Sequence, residues 1–320
     1  MLQTFRAMQP PQPDMTRVND QAYVQSYMND RMAFELKRAA LAKAFHDKFP
    51  ADPANAELMP QRWMILLQTG QPEVVVAETK AALDAKPAGP ALADLLFVRS
   101  VALIETNSDD AAATVDQFIA AAPTDERGAE LLGHEHVTDP AKQLAIDQRI
   151  VQLYPKSDAA TEAQGAIRQM QSIGKPFELD FTDAITGKPI SLQKDLKGKI
   201  VVIDFWATWC GPCVGEMPEN KATYAKFKNQ GVEFIGVSLD QPEAKGGLKA
   251  LKDFVATNGI TWPQYYQGNY WQSDFSSKWG ITSIPTMFLV DADGNLSSTD
   301  ARGQLEDLIP KLIAKRDHKQ

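Results

Sequence analysis

The run KIVVIDFWA, Lys199 to Ala207, constrains the fold of this chain more than any other stretch. It is apolar and β-branched with no polar alternation, so a strand made from it is buried on both faces, and such a sheet needs helices above and below it. A second run of the same kind, VEFIGVSLD, spans Val232 to Asp240. Between them, Cys213 to Gly231 has helical spacing and closes on a glycine. Upstream, FELDF and ISL flank the turn AITGKP and predict a hairpin; downstream, GGLKALKDFVATNG predicts a helix. PTMFLVDADGNLSS then predicts a hairpin turning at Asp293-Gly294, and LEDLIPKLIAKR a closing helix. Strands alternating with helices imply an α/β domain with a mixed central sheet over residues 174–320.

The first half has a different texture. Residues 1–173 are rich in Ala, Leu and Gln, and read as helix after helix, an all-α domain. Four phrases, FHDKFPAD, LDAKPAGP, FIAAAPTD and VQLYPKSD, each end an amphipathic segment at a proline: Pro50, Pro87, Pro123 and Pro155, spaced by 37, 36 and 32 residues. A second helical segment follows each proline, and between pairs lie start signals such as TGQPEVVV and NSDDAAA. The period is that of helix-pair repeats, which must stack because one pair cannot bury its apolar face alone. The reading is a helical-hairpin array of tetratricopeptide type; an irregular helical bundle is the alternative. The linker falls near Gln171 to Pro176.

Composition removes several function classes. The net charge is −8 and no lysine or arginine run interrupts it, which argues against a nucleic-acid partner. No window approaches eighteen apolar residues, so no membrane span is expected. The amino terminus has no apolar core of a signal segment, leaving a cytoplasmic chain or a processed form. No phosphate-cradling glycine loop is present. DADGN, Asp291 to Asn295, lacks the terminal glutamate of a calcium loop and reads as a turn. HEHV, His134 to Val137, places two histidines two apart, on different sides of a helix.

The only two cysteines, Cys210 and Cys213, follow a predicted buried strand and open a predicted helix. Two cysteines make no disulfide framework, and a chain of 320 residues needs none to fold. At a helix start, free N–H groups and the helix dipole favour the thiolate and lower the pKa of the first thiol. Cys210 can then attack a partner disulfide, and Cys213, one turn on, can resolve the mixed disulfide. Gly211 relaxes the intervening turn and Pro212 suits the first helical turn. Half of a zinc site is the other reading, but a second cysteine pair is missing, and His46, His134, His136 and His318 lie outside this segment.

DFWATWCGPC, within the longer FELDF…GKPISLQKDLKGKIVVIDFWATWCGPCVGEMPE, resembles the TlpA/ResA-type thioredoxin-like proteins of the redoxin group over about Lys175 to Ala314. The resemblance implies a thioredoxin fold and thiol–disulfide exchange without a cofactor or metal, with Cys210 attacking and Cys213 resolving. It implies that Asp204 is a buried acid that accepts a proton from Cys213, a position where many TlpA/ResA-type proteins have asparagine. Glu216 matches a glutamate that tunes those transfers, or is an ordinary exposed glutamate in the first turn of the helix. Ile284-Pro285, in WGITSIPTMFLV, matches a cis-proline loop facing the cysteines, where the backbone of Ile284 pairs with substrate. Trp209 matches a rim aromatic and, with Gly211, Pro212 and Ile284, forms the implied substrate surface; Trp206 matches a packing residue. WPQYYQGNYW, Trp262 to Trp271, packs in the core or lines the approach to the cysteines.

The implied function is reduction of protein disulfides, with a protein client and a separate electron-donor protein, and with the helical domain as a client-docking module. Two alternatives stand beside it. A thiol peroxidase of the redoxin group would resemble P-x-x-x-[ST]-x-x-C, whereas Ala207 stands three before Cys210. A helical-repeat binding protein with an accessory thioredoxin-like module is the other. The resemblance places the chain outside the cytoplasm, in the periplasm or cell envelope.

Overall fold

The structure is a computed structural model and describes residues 1–134, 137 and 139–318. Residue contacts divide it into two compact units, one of residues 1–146 and 152–157, the other of residues 147–151 and 158–320.

The first unit is helical. It contains α1 (Leu2–Ala7), α2 (Gln21–Lys48), α3 (Asn55–Gln68), α4 (Pro72–Asp84), α5 (Pro90–Glu105), α6 (Ala111–Ala121), α7 (Arg127–Gly133) and part of α8 (Pro140–Leu153). Packing is sequential: α2 lies on α3, α3 on α4 and α5, and α5 on α6 and α7. Pro50, Pro87, Pro123 and Pro155 fall two or three residues beyond the ends of α2, α4, α6 and α8, where a residue without an N–H disfavours continuing the helix. Contacts recur at an offset of 37 residues. Arg62 donates to the Ala39 carbonyl at 2.8 Å and Arg99 to that of Val76 at 2.9 Å. Thr69 and Thr106 close α3 and α5 alike on Ile65 and Ala102, and the left-handed residue that follows is Gly70 in one case and Asn107 in the other.

α9 (Asp158–Ser172), which the sequence reading placed in the helical array, belongs to the second unit. Its Gly165 meets Gly280 backbone to backbone: a Cβ on Gly165 would lie 2.2 Å from the Gly280 Cα. Gln169 Nε2 donates to the Trp279 carbonyl at 2.6 Å. The segment read as a linker is also tied down. Gly174 N donates to the Leu296 carbonyl at 2.7 Å, and Phe177 N to that of Gly294 at 2.9 Å.

The remainder of the second unit is α/β. β1 (Asp180–Thr182) and β2 (Pro189–Ser191) form the expected antiparallel hairpin, followed by α10 (Leu192–Asp195). Then come β3 (Ile200–Trp206), α11 (Gly211–Phe227), β4 (Val232–Ser238), α12 (Gly247–Asn258), β5 (Gln264–Tyr266), α13 (Asp274–Lys278), β6 (Thr286–Val290), β7 (Leu296–Ser298) and α14 (Leu305–Asp317). The sheet order is β5-β4-β3-β6-β7; β4 runs parallel to both β3 and β5, and β6 antiparallel to β3 and β7. This is the mixed sheet of a thioredoxin fold. Every residue of β3 is buried, as its apolar run demands. Met217 of α11, Leu251 and Val255 of α12, and Leu305 and Ile309 of α14 join that sheet in one core.

Candidate active site

β3 ends inside the core and the chain leaves it through Ala207–Trp209 before α11 begins. Asp240, just beyond β4, holds that exit. Its Oδ1 accepts from Thr208 N at 3.0 Å and from Thr208 Oγ1 at 2.6 Å, while Oδ2 accepts from Ser238 Oγ at 2.7 Å. Cys210 is the N-cap of α11, and its Sγ accepts from Cys213 N at 3.2 Å. The first sulfur therefore sits on the unsatisfied amides of a helix start, where negative charge is favoured.

Cys210 and Cys213 are joined by a disulfide. Both are buried, whereas Gly211 and Pro212 between them are exposed. The turn does not require glycine at 211: its φ is not left-handed, and a Cβ there would meet nothing within 4 Å. The small residue instead leaves the surface beside the sulfurs uncovered.

The Ile284–Pro285 peptide is cis, and the Ile284 carbonyl oxygen lies 3.8 Å from Cys210 Sγ. Trp209 is 41% exposed, its ring 4.9 Å from Tyr270 and 5.8 Å from Trp271, with its Nε1 donating to the Leu239 carbonyl. The aromatic segment 262–271 thus splits. Trp262 is buried against Tyr224 and Phe234, while Tyr270 and Trp271 form a rim with Trp209. Trp206 is a packing residue: it is buried, donates to Gln264 Oε1 at 3.1 Å and packs on Phe254.

Asp204 is only 2% exposed, Oδ1 has no hydrogen-bond partner, and Oδ2 receives one long bond of 3.4 Å from Asn220 Nδ2. Burial, reinforced by the nearby charge of Glu216, pushes its carboxyl up to about 7. Glu216 lies in the second turn of α11, not in the first turn where the alternative of an ordinary exposed glutamate placed it, and it is ion-paired. Arg302 grips it through Nε, at 3.1 and 3.2 Å from its two oxygens, and through Nη2.

Among the described residues, no group of three or more His, Cys, Asp or Glu is gathered to hold a metal ion, and no helix is long and apolar enough to cross a membrane. Of the HEHV motif, His134 follows α7 and His136 lies outside the described residues.

Asp240, Asn220 and Arg302 carry no local signature; each acts on a residue 16 to 86 positions away. The acid in VSLD directly after a buried strand was the one available hint.

Residues 172–307 match the Redoxin family model. The thiol-disulfide oxidoreductase ResA of Bacillus thuringiensis (strain Al Hakam) is 34% identical over 151 residues, covering 46% of this chain and 82% of that protein. ResA of Halalkalibacterium halodurans is 30% identical over 148 residues, covering 46% and 79%. The thioredoxin domain of a thiol-disulfide oxidoreductase from Bacteroides vulgatus is 29% identical, covering 43% of this chain and 94% of its own, with a TM-score of 0.37. The fold and the paired cysteines define a thioredoxin-like protein. More closely, the chain belongs to the ResA-type thiol-disulfide oxidoreductases of the redoxin group.

Proposed function

We propose that this thiol-disulfide oxidoreductase reduces disulfides in protein clients outside the cytoplasm. The observation that carries the reading is the sulfur of Cys210, capping α11 within 3.8 Å of the Ile284 carbonyl and beside an exposed aromatic rim. In the reduced enzyme the Cys210 thiolate attacks one sulfur of the client disulfide; the other sulfur leaves and takes a proton. An extended client segment pairs with the backbone at Ile284 and lies against Trp209, Gly211 and Pro212. Asp204 then accepts the Cys213 proton, which its raised pKa equips it to do near neutrality, and Glu216 tunes that transfer. The Cys213 thiolate attacks Cys210, the reduced client leaves, and the pair closes as the disulfide seen here. Two electrons from a separate donor protein reopen it; no cofactor enters the cycle.

The helical region, lying outside the matched span, is proposed to be a tetratricopeptide-like array that docks the client. Its recurrence at 37 residues supports the repeat, and repeat arrays present extended binding faces. The peroxidase alternative gains no support, since Ala207 stands where that chemistry places a hydroxyl and the neighbouring Thr208 hydroxyl is committed to Asp240.

The test is the reduction potential of the Cys210–Cys213 couple, with insulin reduction by Cys210→Ser as control. A potential near about −270 mV and loss of activity in the variant are expected; a value of about −120 to −180 mV would make the chain a disulfide donor or isomerase.

A further inference from the structure

Beside Asp204 lies a cavity of about 380 Å³, walled by α11, β6, the loop after β7 and the start of α14. Two of its lining residues are neighbours of Asp204: Met287 is its partner in the β3–β6 ladder, and Asn220 is its hydrogen-bond donor. The charged groups facing this space are Glu216 and Glu219 from α11, Asp300 and Arg302 from the loop, and Glu306 from α14. Glu306 pairs with Lys226 and accepts from Thr223 of the same lining at 3.4 Å, and the Cys210–Cys213 pair stands at the start of α11. Arg302 is the one cation among the described residues that line the cavity. It spends its guanidinium on Glu216, in a forked pair whose planar geometry a lysine could not reproduce.

We propose that Arg302 is a positioning residue for thiol–disulfide exchange: by clamping Glu216 at the wall of this cavity it fixes the carboxylate charge against which Asp204 gives up its proton to water. The proposal rests on the assignment of Asp204 as the base for Cys213. With Oδ1 orphaned and only the long Asn220 bond on Oδ2, the Asp204 carboxylate has little donor support for its charge, so the field of its neighbours weighs heavily on when it ionises. With the guanidinium in place, the field of Glu216 is partly offset. Without it four carboxylates and no cation line the cavity, and Asp204 keeps its proton to higher pH.

The sign of the effect separates this role from a structural one. In stopped-flow oxidation of the reduced full chain by a disulfide peptide, the rate is expected to show an acidic limb as Asp204, its carboxyl pushed up to about 7 by burial, ionises. Arg302→Gln is expected to move that limb up by roughly half a unit, and Glu216→Gln to move it down. The double variant should coincide with Glu216→Gln alone, since Arg302 acts through that carboxylate, and Arg302→Lys should restore part of the shift. A merely structural arginine would lower thermal stability and leave the limb in place, which would overturn the proposal. So would a double variant that still moves by the full Arg302→Gln shift relative to Glu216→Gln. Asp204→Asn tells the two assignments apart. If the limb survives it, the base is misassigned and the proposal falls with it; if the limb vanishes there but ignores Arg302→Gln, the base stands and only the role of Arg302 fails.

Discussion

Asp204 holds a position that costs the fold stability. In water an aspartate ionises near pH 4; here burial holds the proton to about 7. The folded chain therefore binds a proton that the unfolded chain releases across that window. The folded-state pKa lies above the unfolded value, so the contribution of this group is fully present below about pH 4, falls as pH rises, and levels off above about pH 7. A gap of about three units corresponds to roughly 4 kcal/mol as an upper figure. Asparagine has nearly the same shape and no charge to desolvate. Asp204→Asn is expected to stabilise the protein by a few kcal/mol at about pH 8 and by little at about pH 4, as read by denaturant unfolding at both. An equal gain at the two pH values would mean that desolvation is not the cause. Both cysteines were legible in the sequence because they sit between a buried strand and a helix start, whereas Asp204 and Pro285 were singled out by the resemblance of the surrounding segments to the TlpA/ResA type. Asp240, Asn220 and Arg302 were not, because hydrogen bonds across a fold leave no mark on the residues between them.

At the scale of elements, the arginine-to-carbonyl contact that recurs between Arg62 and Arg99 is joined by an ion pair at Arg62. Arg62 of α3 reaches back to the Ala39 carbonyl on α2 and forward to Glu78 on α4 at 2.7 and 2.9 Å, and Trp63 Nε1 donates to the same carboxylate. Burial alone would raise the pKa of Glu78; the Arg62 and Trp63 hydrogen bonds more than offset it and lower it. Arg62→Met would strand that carboxylate and is expected to cost about 3–5 kcal/mol, while adding Glu78→Leu should recover much of the loss. Hydrogen exchange across α2 to α4 would report it; a double variant no better than the single would make the loss one of Arg62 packing instead. The prolines that follow α2, α4, α6 and α8 were readable as punctuation, since a helix rarely runs through proline. The short β5, α10 and α13 were not, as three to five residues carry too little periodicity to distinguish them from loop.

For the whole molecule, the question is where the second unit begins. Composition changes after Ile173, where strands replace helices, and that is where a reading by texture places the boundary. Contacts place α9 with the strands instead, and the reason is a pair of glycines far apart in sequence. Gly165 in the helix and Gly280 after α13, with its φ of +61°, touch so closely that neither has room for a Cβ. Gln169 adds a hydrogen bond to the carbonyl of Trp279, a residue buried against Phe177 and Phe288 in the centre of the unit. Removing α9 uncovers that end of the aromatic core. A fragment of residues 158–320 should therefore melt about 2–4 °C or more above a fragment of residues 174–320, an increment of about one kcal/mol for a unit of this size. Gly165→Leu in the longer fragment should abolish the difference. If the two fragments melt together, α9 contributes nothing to the second unit and the boundary belongs after it. If they differ in stability while reducing insulin at equal rates below both transitions, α9 supports the thioredoxin core without taking part in the chemistry at Cys210.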